Sequence, residues 1–183
     1  MTNPTFYEAF GKVANAFSWL EGDLRRLLTG MAFDNDFVVA SAFLDSSQLR
    51  GNLRVLRKFA RIHHDYEGKF KNIAKIIENL ADRRNLFIHG LWTHATFDEP
   101  EGFALVRDLK IKFSEDEKSR TWANGQAEKV SIADFSKMLL EIRDATYAID
   151  SVIKELENDM DMEFSGFSSV TSFRFTLDSP DQN

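Results

Sequence analysis

The stretch Asp82-Arg83-Arg84-Asn85-Leu86-Phe87-Ile88-His89-Gly90 decides the fold, because it closes a long helical pattern that begins near Glu67. At 100° per residue, the apolar side chains of this pattern share one arc of a helix. The arc is formed by Ile73, Ile77, Leu80, Phe87 and Leu91 and is widened by Ala74, Ile76, Ala81 and Ile88. Gly90 is a favourable residue directly after a helix, so the helix is predicted to end at His89.

A second stripe of the same helix is polar. Its members recur at i, i+4, i+7 and i+11 and are Glu78, Asp82, Asn85 and His89. Arg84 lies instead in the middle of the apolar arc, where a surface residue is not expected. A buried arginine is rare unless it is paired or lines a polar cleft. Arg84 is therefore predicted either to line such a cleft or to form an ion pair with a carboxylate such as Glu21 or Glu141.

The composition bounds the class of protein. The chain has 183 residues, of which 43% are hydrophobic and 17 are Phe, which suits one domain with a substantial core. The absence of Cys excludes disulfides, thiolate nucleophiles and Cys-ligated metals. A net charge of −6 argues against a surface that coats nucleic acid generally, but it allows a local basic patch. No signal peptide or membrane span is evident, so a cytoplasmic protein without a membrane partner is expected.

The periodicity predicts a mainly α fold, an up-and-down helical bundle in one domain over residues 1–163. Helices are expected over about 5–31, 33–44, 48–63 and 67–89, and from 131 towards 163. The last helix begins with a capping-box variant, Ser131-Ile132-Ala133-Asp134, and its heptad spacing predicts antiparallel packing on a neighbour or across a dimer seam. Asp45-Ser46-Ser47 is predicted to be a turn and helix cap.

The spacing of apolar residues changes after the helix predicted over 67–89. Residues 91–97 and 103–113 have strand propensity and flank a turn at 98–102, so a small β-hairpin over about 91–113 is predicted. Residues 114–130 are polar and are interpreted as loop, with Thr121-Trp122 as a candidate short strand. The tail, 164–183, is expected to be either an added strand or a loose terminus.

The predicted helix 48–63 carries a local excess of positive charge. Residues 49–63 hold five basic residues and no acidic one, and four of the five form a stripe of Arg50, Arg54, Arg57 and Arg61. Two interpretations are about equally favoured: a solvated face that balances acidic neighbours, or an RNA-binding track for backbone phosphates. In both, the four side chains should be exposed together.

His63 and His64 invite a metal-binding interpretation, since carboxylates follow them directly. Adjacent residues rarely point at one ion, and the sequence offers no spaced ligand motif. No metal site and no cofactor are predicted.

Arg84-Asn85 followed by His89 resembles the R-x4-6-H motif of the HEPN superfamily, with Asn as the polar residue after the arginine. The resemblance covers the motif, its place at a helix end and the long-helix layout from about Phe6 to Leu156. HEPN domains are small and all-α, and many are metal-independent ribonucleases or toxins of bacterial toxin–antitoxin or antiviral systems. The resemblance therefore implies an HEPN-like bundle whose catalytic pair is Arg84 and His89.

This motif suits RNA cleavage without a metal. An imidazole can take a proton from a ribose 2′-hydroxyl or give one to the leaving 5′-oxygen, and a guanidinium can hold the phosphate. Asn85, one turn before His89, is expected to orient the imidazole or the substrate. Arg84 and His89 lie about 140° apart around an ideal helix. A homodimer, which the resemblance implies, would bring two such pairs into one cleft.

Two functions stay open. The first is an endoribonuclease that acts on RNA, is a toxin, and has an antitoxin protein as partner. The second is a non-catalytic HEPN-like module that binds RNA, nucleotides or proteins, in which Arg84 is structural.

Overall fold

The computed structural model describes residues 4–33, 37–44, 48–95, 103–114 and 119–160. In chain order its elements are α1 (Pro4–Phe33), α2 (Phe37–Leu44), α3 (Leu49–Ile62), a 3-10 turn (His64–Tyr66), α4 (Glu67–His89), β1 (Leu91–Ala95), β2 (Phe103–Ser114), β3 (Ser119–Ser131) and α5 (Ile132–Met160). The prediction of a mainly helical chain with a small β insertion is confirmed. The turn at Asp45-Ser46-Ser47, the turn at 98–102 and the tail at 164–183 lie outside the described residues.

Helix α4 runs antiparallel to α5, as contacts at its two ends establish. At its start, Tyr66 Oη donates a hydrogen bond to Asp159 Oδ2 at 2.6 Å, close to the end of α5. Towards its end, Arg83 forms an ion pair with Glu141, in the first half of α5. The predicted antiparallel packing of α5 is therefore made within the chain, on α4.

Helix α1 runs in the same direction as α5. The rings of Phe6 and Phe135 lie 4.9 Å apart at the starts of the two helices, and Arg26 Nη1 lies 3.5 Å from Asp150 Oδ1 further along. The helix predicted over about 5–31 has an apolar face that packs into this core and is buried at Phe6, Val13, Phe17, Leu20, Leu24 and Leu27. No helix of the described residues is long and apolar enough to cross a bilayer.

The capping box at the start of α5 is confirmed. The Ser131 backbone N–H and Oγ both donate to Asp134 Oδ2, at 2.8 and 2.7 Å, and the Asp134 N–H donates back to Ser131 Oγ at 3.3 Å. Burial raises the pKa of the Asp134 carboxyl, but these hydrogen bonds and the charges of Arg83 and Lys137 lower it below its usual value. This reciprocal cap satisfies free N–H groups at the helix start.

The inserted sheet has three antiparallel strands in the order β1-β2-β3. The interpretation of 114–130 as loop was wrong, because β3 pairs with β2 from Phe103↔Ser131 to Ser114↔Ser119. The polar composition of β3 hides this strand, since its pairing with β2, interrupted by one irregularity between Arg107 and Leu109, outweighs weak local propensity. The hairpin between β2 and β3 is thus much longer than the predicted one.

Helix α4 ends at His89, as predicted, but Gly90 is needed for a different reason than helix capping. Its backbone is extended, with φ −71° and ψ 153°, rather than left-handed. A Cβ at this position would lie 2.3 Å from the Leu86 carbonyl oxygen and 2.5 Å from Val106 Cγ2. Gly90 therefore permits the close approach of β2 to the end of α4.

Trp92 fastens the same helix end to the core. Its indole N–H donates to the Phe87 carbonyl oxygen at 2.8 Å, which satisfies one of the last carbonyls of α4. The Trp92 ring lies 5.3 Å from that of Phe6 and 6.4 Å from that of Phe10, with both pairs edge-on. The end of α4 is thus held by an aromatic cluster that includes the start of α1.

Candidate active site

A cleft of about 660 Å³ opens between α1, the start of α3 and the second half of α4. This volume lies within the range of small-molecule and cofactor sites, about 300–1,000 Å³. The cleft is lined by Phe17, Glu21, Arg25, Gln48, Leu49, Arg50, Ala81, Arg84, Asn85 and His89. The described part of this lining holds three guanidinium groups, one imidazole and one carboxylate, so it favours an anionic ligand.

Helix α4 contributes the three residues of the predicted motif to this cleft. Arg84, Asn85 and His89 all line it, although Arg84 and His89 leave an ideal helix in directions about 140° apart. The walls from α1 and α3 enclose the space between those two directions. One chain therefore brings the three residues to one cleft without a partner subunit.

Arg84 lies at the base of the site in a half-buried position. Its guanidinium carbon stands 5.5 Å from the centre of the Phe17 ring, and its Nη1 donates to Asn85 Oδ1 at 3.3 Å. Its Nε is buried and has no hydrogen-bond partner among the described residues. Arg84 is thus oriented by an aromatic face and an amide, and it keeps hydrogen-bond donors for a ligand.

The expected ion pair of Arg84 with Glu21 or Glu141 is not formed. Glu141 pairs with the preceding residue, Arg83, which points towards α5. Glu21 lines the same cleft as Arg84, but no ion pair joins the two within the described ranges. Of the two alternatives for Arg84, the structure has the cleft-lining one.

His89 lies in the last turn of α4 with an exposed side chain. Among the residues that the structure describes, none holds its imidazole by a hydrogen bond. Asn85 was predicted to orient either the imidazole or the substrate; in the described residues no hydrogen bond joins it to His89, and its amide oxygen accepts from Arg84. Asn85 is therefore placed to orient the arginine of the motif.

The basic stripe of α3 begins at this cleft. Arg50 belongs to both, and Arg54, Arg57 and Arg61 extend about 16 Å away from it along the helix axis. Three of the four are exposed and Arg57 is half-buried, so the stripe lies on one outer side as predicted.

Acidic residues of α4 balance part of that stripe. Arg57 Nη2 lies 2.7 Å from Glu78 Oε2, and Arg50 Nη2 lies 3.9 Å from Asp82 Oδ1. Within the described part of the chain, Arg54 and Arg61 have no such partner. The interpretation as a face that balances acidic neighbours is met at Arg50 and Arg57, and the RNA-binding track stays a prediction. The polar stripe of α4 divides likewise, since Glu78 and Asp82 meet arginines while Asn85 and His89 line the cleft.

Sequence reasoning named Glu21 only as a candidate ion-pair partner of Arg84 and missed the rest of the α1 wall of the cleft. Phe17, Glu21 and Arg25 are spaced one helical turn apart, and Glu21 lies at the edge of the apolar face of α1. The signal that could have revealed them is this pair of charged residues four apart beside an apolar stripe. Spacing on one helix does not specify which other helix faces it, so the wall emerges only from tertiary packing.

No metal centre accompanies the cleft in the described ranges, where no group of three or more His, Asp or Glu side chains converges. Comparison with known protein families, with curated proteins and with solved structures gave no match. The function is therefore argued from the cleft and its residues.

Proposed function

We propose that this protein is a metal-independent endoribonuclease of the HEPN type, with Arg84, Asn85 and His89 as its catalytic residues. The observation that carries the proposal is that all three line one cationic cleft, while Arg84 has no carboxylate partner among the described residues. A guanidinium kept away from carboxylates is available for a phosphate, which it can bind through two parallel hydrogen bonds.

Each residue has a role that follows from its position. Arg84 holds a non-bridging phosphate oxygen and stabilises the charge that develops on it. Asn85 orients the Arg84 guanidinium through the 3.3 Å hydrogen bond. His89, at the exposed mouth of the cleft, transfers a proton at the scissile phosphate. The stripe of Arg50, Arg54, Arg57 and Arg61 guides the RNA backbone into the cleft, because its first member lines both.

The biological role that suits such an enzyme is a toxin, restrained by an antitoxin protein in a toxin–antitoxin or antiviral system. A homodimer is part of the proposal because the HEPN resemblance implies one. Its two clefts would each hold a complete Arg84-Asn85-His89 set.

The test is cleavage of a single-stranded oligoribonucleotide of mixed sequence by the purified protein in the presence of EDTA. Wild type should cleave it, and His89→Ala should lower the rate by about 100- to 10,000-fold, since a proton-transfer group is lost. His64→Ala is the matched control, because His64 is exposed outside the cleft, 3.9 Å from Glu67, and should keep full activity. Cleavage by His89→Ala at the wild-type rate would refute the proposal.

Expression in bacteria tests the toxin role separately. Wild type should arrest growth and degrade cellular RNA, whereas His89→Ala should do neither. Equal growth and intact RNA with both proteins would remove the toxin role while leaving the purified activity to be judged by itself.

A second candidate is a non-catalytic binding module, and the outer surface of α2 favours it. Val38 is 83% exposed and Phe43 is 65% exposed on this short helix, and exposed apolar residues of this kind often contact a partner protein. This candidate predicts RNA binding or partner binding with no cleavage by wild type. The cleavage assay therefore decides between the two.

A further inference from the structure

Among the described residues that line the cleft, Glu21 is the one with an acidic group, and the proposed roles of Arg84, Asn85 and His89 leave it unused. Glu21 is half-buried on α1, one turn after Phe17, whose ring carries the Arg84 guanidinium. It therefore stands across the cleft from the motif residues, on the wall that α1 contributes.

Glu21 has no structural explanation among the described residues. It forms no hydrogen bond or ion pair with them, although Arg25, Arg50 and Arg84 line the same cleft. By contrast, two half-buried arginines elsewhere in the described residues are paired with carboxylates, Arg26 with Asp150 and Arg83 with Glu141. A carboxylate that faces a cleft without bonding to its walls has acceptor oxygens left for a ligand.

Cleavage of RNA by its own 2′-hydroxyl needs two proton transfers, one from the attacking oxygen and one to the leaving oxygen. A single imidazole in the cleft can supply one of them at a time. A carboxyl group is ordinarily ionised at neutral pH, whereas an imidazole is partly protonated. The first therefore suits proton removal and the second suits proton donation.

We infer that Glu21 is the general base of the reaction and that His89 is the general acid, both within one chain. This inference rests on the ribonuclease function proposed above. The 2′-oxygen bonds to phosphorus while its proton passes to a Glu21 carboxylate oxygen. The bond from phosphorus to the 5′-oxygen breaks while His89 donates a proton to that oxygen.

The products are a 2′,3′-cyclic phosphate and a 5′-hydroxyl. Exchange of protons with water then returns Glu21 to its ionised form and His89 to its protonated form. The reaction consumes no further reactant. Arg84 holds the phosphate between the two groups, and Arg25 and Arg50 complete the positive lining of the cleft.

The test is the single-turnover cleavage rate of a 5′-labelled, mixed-sequence oligoribonucleotide between about pH 3.5 and pH 9, a range that includes the region near pH 4 where carboxyl groups ordinarily titrate. Wild type should show a bell-shaped profile. Glu21→Gln should lower the rate by about 100- to 10,000-fold and remove the acidic limb of the profile, because the group that must be ionised is gone. Glu21→Asp keeps a carboxylate, so it should retain that limb at a reduced rate. Glu8→Gln, an exposed α1 variant outside the cleft, should match wild type.

Removing the carboxylate should change the cleavage rate in opposite directions, depending on whether Glu21 is the general base or only repels the phosphate. If Glu21 only repels RNA, Glu21→Gln should raise the rate and lower KM; if it is the base, the rate falls whatever happens to KM. A Glu21→Gln profile equal to that of wild type, with His89→Ala inactive, overturns this inference and leaves the ribonuclease function standing. Loss of the acidic limb in Glu21→Asp also overturns it. An inactive wild type, or a fully active His89→Ala, overturns both.

Discussion

The seams between the helices and the cleft use arginine in different ways. At the seams, each arginine meets a carboxylate of another helix: Arg26 meets Asp150, Arg57 meets Glu78 and Arg83 meets Glu141. In the cleft, Arg84 meets an aromatic ring and an amide instead. Adjacent positions of α4 thus have opposite environments. The difference teaches that the arginines that join helices are neutralised within the protein, whereas Arg84 has no carboxylate partner among the described residues.

The contrast between the cleft arginine and the arginines that join helices is tested most strongly by two single variants, Arg84→Ala and Arg83→Ala. Arg84→Ala should lower the cleavage rate by about 100- to 1,000-fold, because the group that stabilises the phosphate charge is lost. Arg83→Ala should keep the rate and cost about 1 kcal/mol or less, since its ion pair with Glu141 is partly exposed. Cleavage assays and urea unfolding measure the two effects.

The stability of the Arg84→Ala variant tests the same comparison in a second way. Arg84→Ala should cost no more than about 1 kcal/mol, the value of an arginine on an aromatic face. A cost of about 3–5 kcal/mol would mean that a buried carboxylate had been left without its partner. Arg84 would then belong with the seam arginines, and the binding-module function would be favoured.

The contact between the sheet and the end of α4 can be tested at Gly90. Gly90→Ala should lower the free energy of unfolding by about 1–3 kcal/mol, because the added methyl group meets Leu86 and Val106 at contacts that force the backbone to shift. The control is Gly11→Ala, where nothing lies within 4 Å and the change should stabilise α1 by about 0.5–1 kcal/mol. Urea unfolding of both variants measures the contrast. Equal stability of Gly90→Ala and wild type would show that β2 adapts.

The comparison extends to the stripe on α3, where paired and unpaired arginines alternate. Exchanging Arg54 and Arg61 for alanine should make the slope of log K against log salt shallower by about 1.4 for single-stranded RNA, at about 0.7 per phosphate contact. Exchanging Arg50 and Arg57 should change it less, because Asp82 and Glu78 already balance them. Fluorescence anisotropy at several salt concentrations measures these slopes. Unchanged slopes in both variants would make the stripe a solvated face.

The smallest expected effect concerns the seam between α1 and α5. Burial, together with repulsion from Asp150, raises the pKa of Asp23 to about 6, while Arg26 opposes the rise. The folded state therefore binds this proton more tightly than the unfolded state, and the resulting stability is lost as pH rises through about 6. Asp23→Asn cannot ionise, so it should exceed wild type by about 1 kcal/mol at pH 8, a value reduced for solvent screening.

The Asp23→Asn advantage should vanish at pH 3.5, below the ordinary pKa of 3.8, where wild type is also protonated. Thermal unfolding at the two pH values measures it. An advantage of the same size at both would assign the gain to packing rather than to charge.

Periodicity on single helices predicted most of what local pattern controls. The apolar stripes of α1 and α4, the cap at Ser131 and the end of α4 at His89 follow from spacing and residue type. The cleft-lining position of Arg84 was one of two alternatives, because the sequence shows that it interrupts an apolar arc but not what faces it. Which alternative holds depends on contacts between distant segments. Glu141, for example, pairs with Arg83, 58 positions away in sequence, and not with Arg84.

Features that depend on pairing between distant segments were not predictable in the same way. Strand β3 is polar, and only its register with β2 makes it a strand. The sequence offers Glu21 as a candidate partner of Arg84, but its place in a cleft depends on how α1, α3 and α4 are arranged in the fold. Gly90 is likewise required because the Val106 side chain of β2 lies close to it, and not because of the conformation of its own turn.

The aromatic cluster at the end of α4 has a consequence for the order in which the protein is made. Phe87 is held by Trp92 from β1 and by Phe135 from α5, whose ring also lies 4.9 Å from that of Phe6. The Phe135 ring belongs to the start of α5, so its contacts with Phe6 and Phe87 can form only after that part of the chain has been synthesised. The hydrogen bond from Trp92 to Phe87 needs no residue of α5. A nascent chain therefore carries Arg84 and His89 before the aromatic cluster around their helix end is complete.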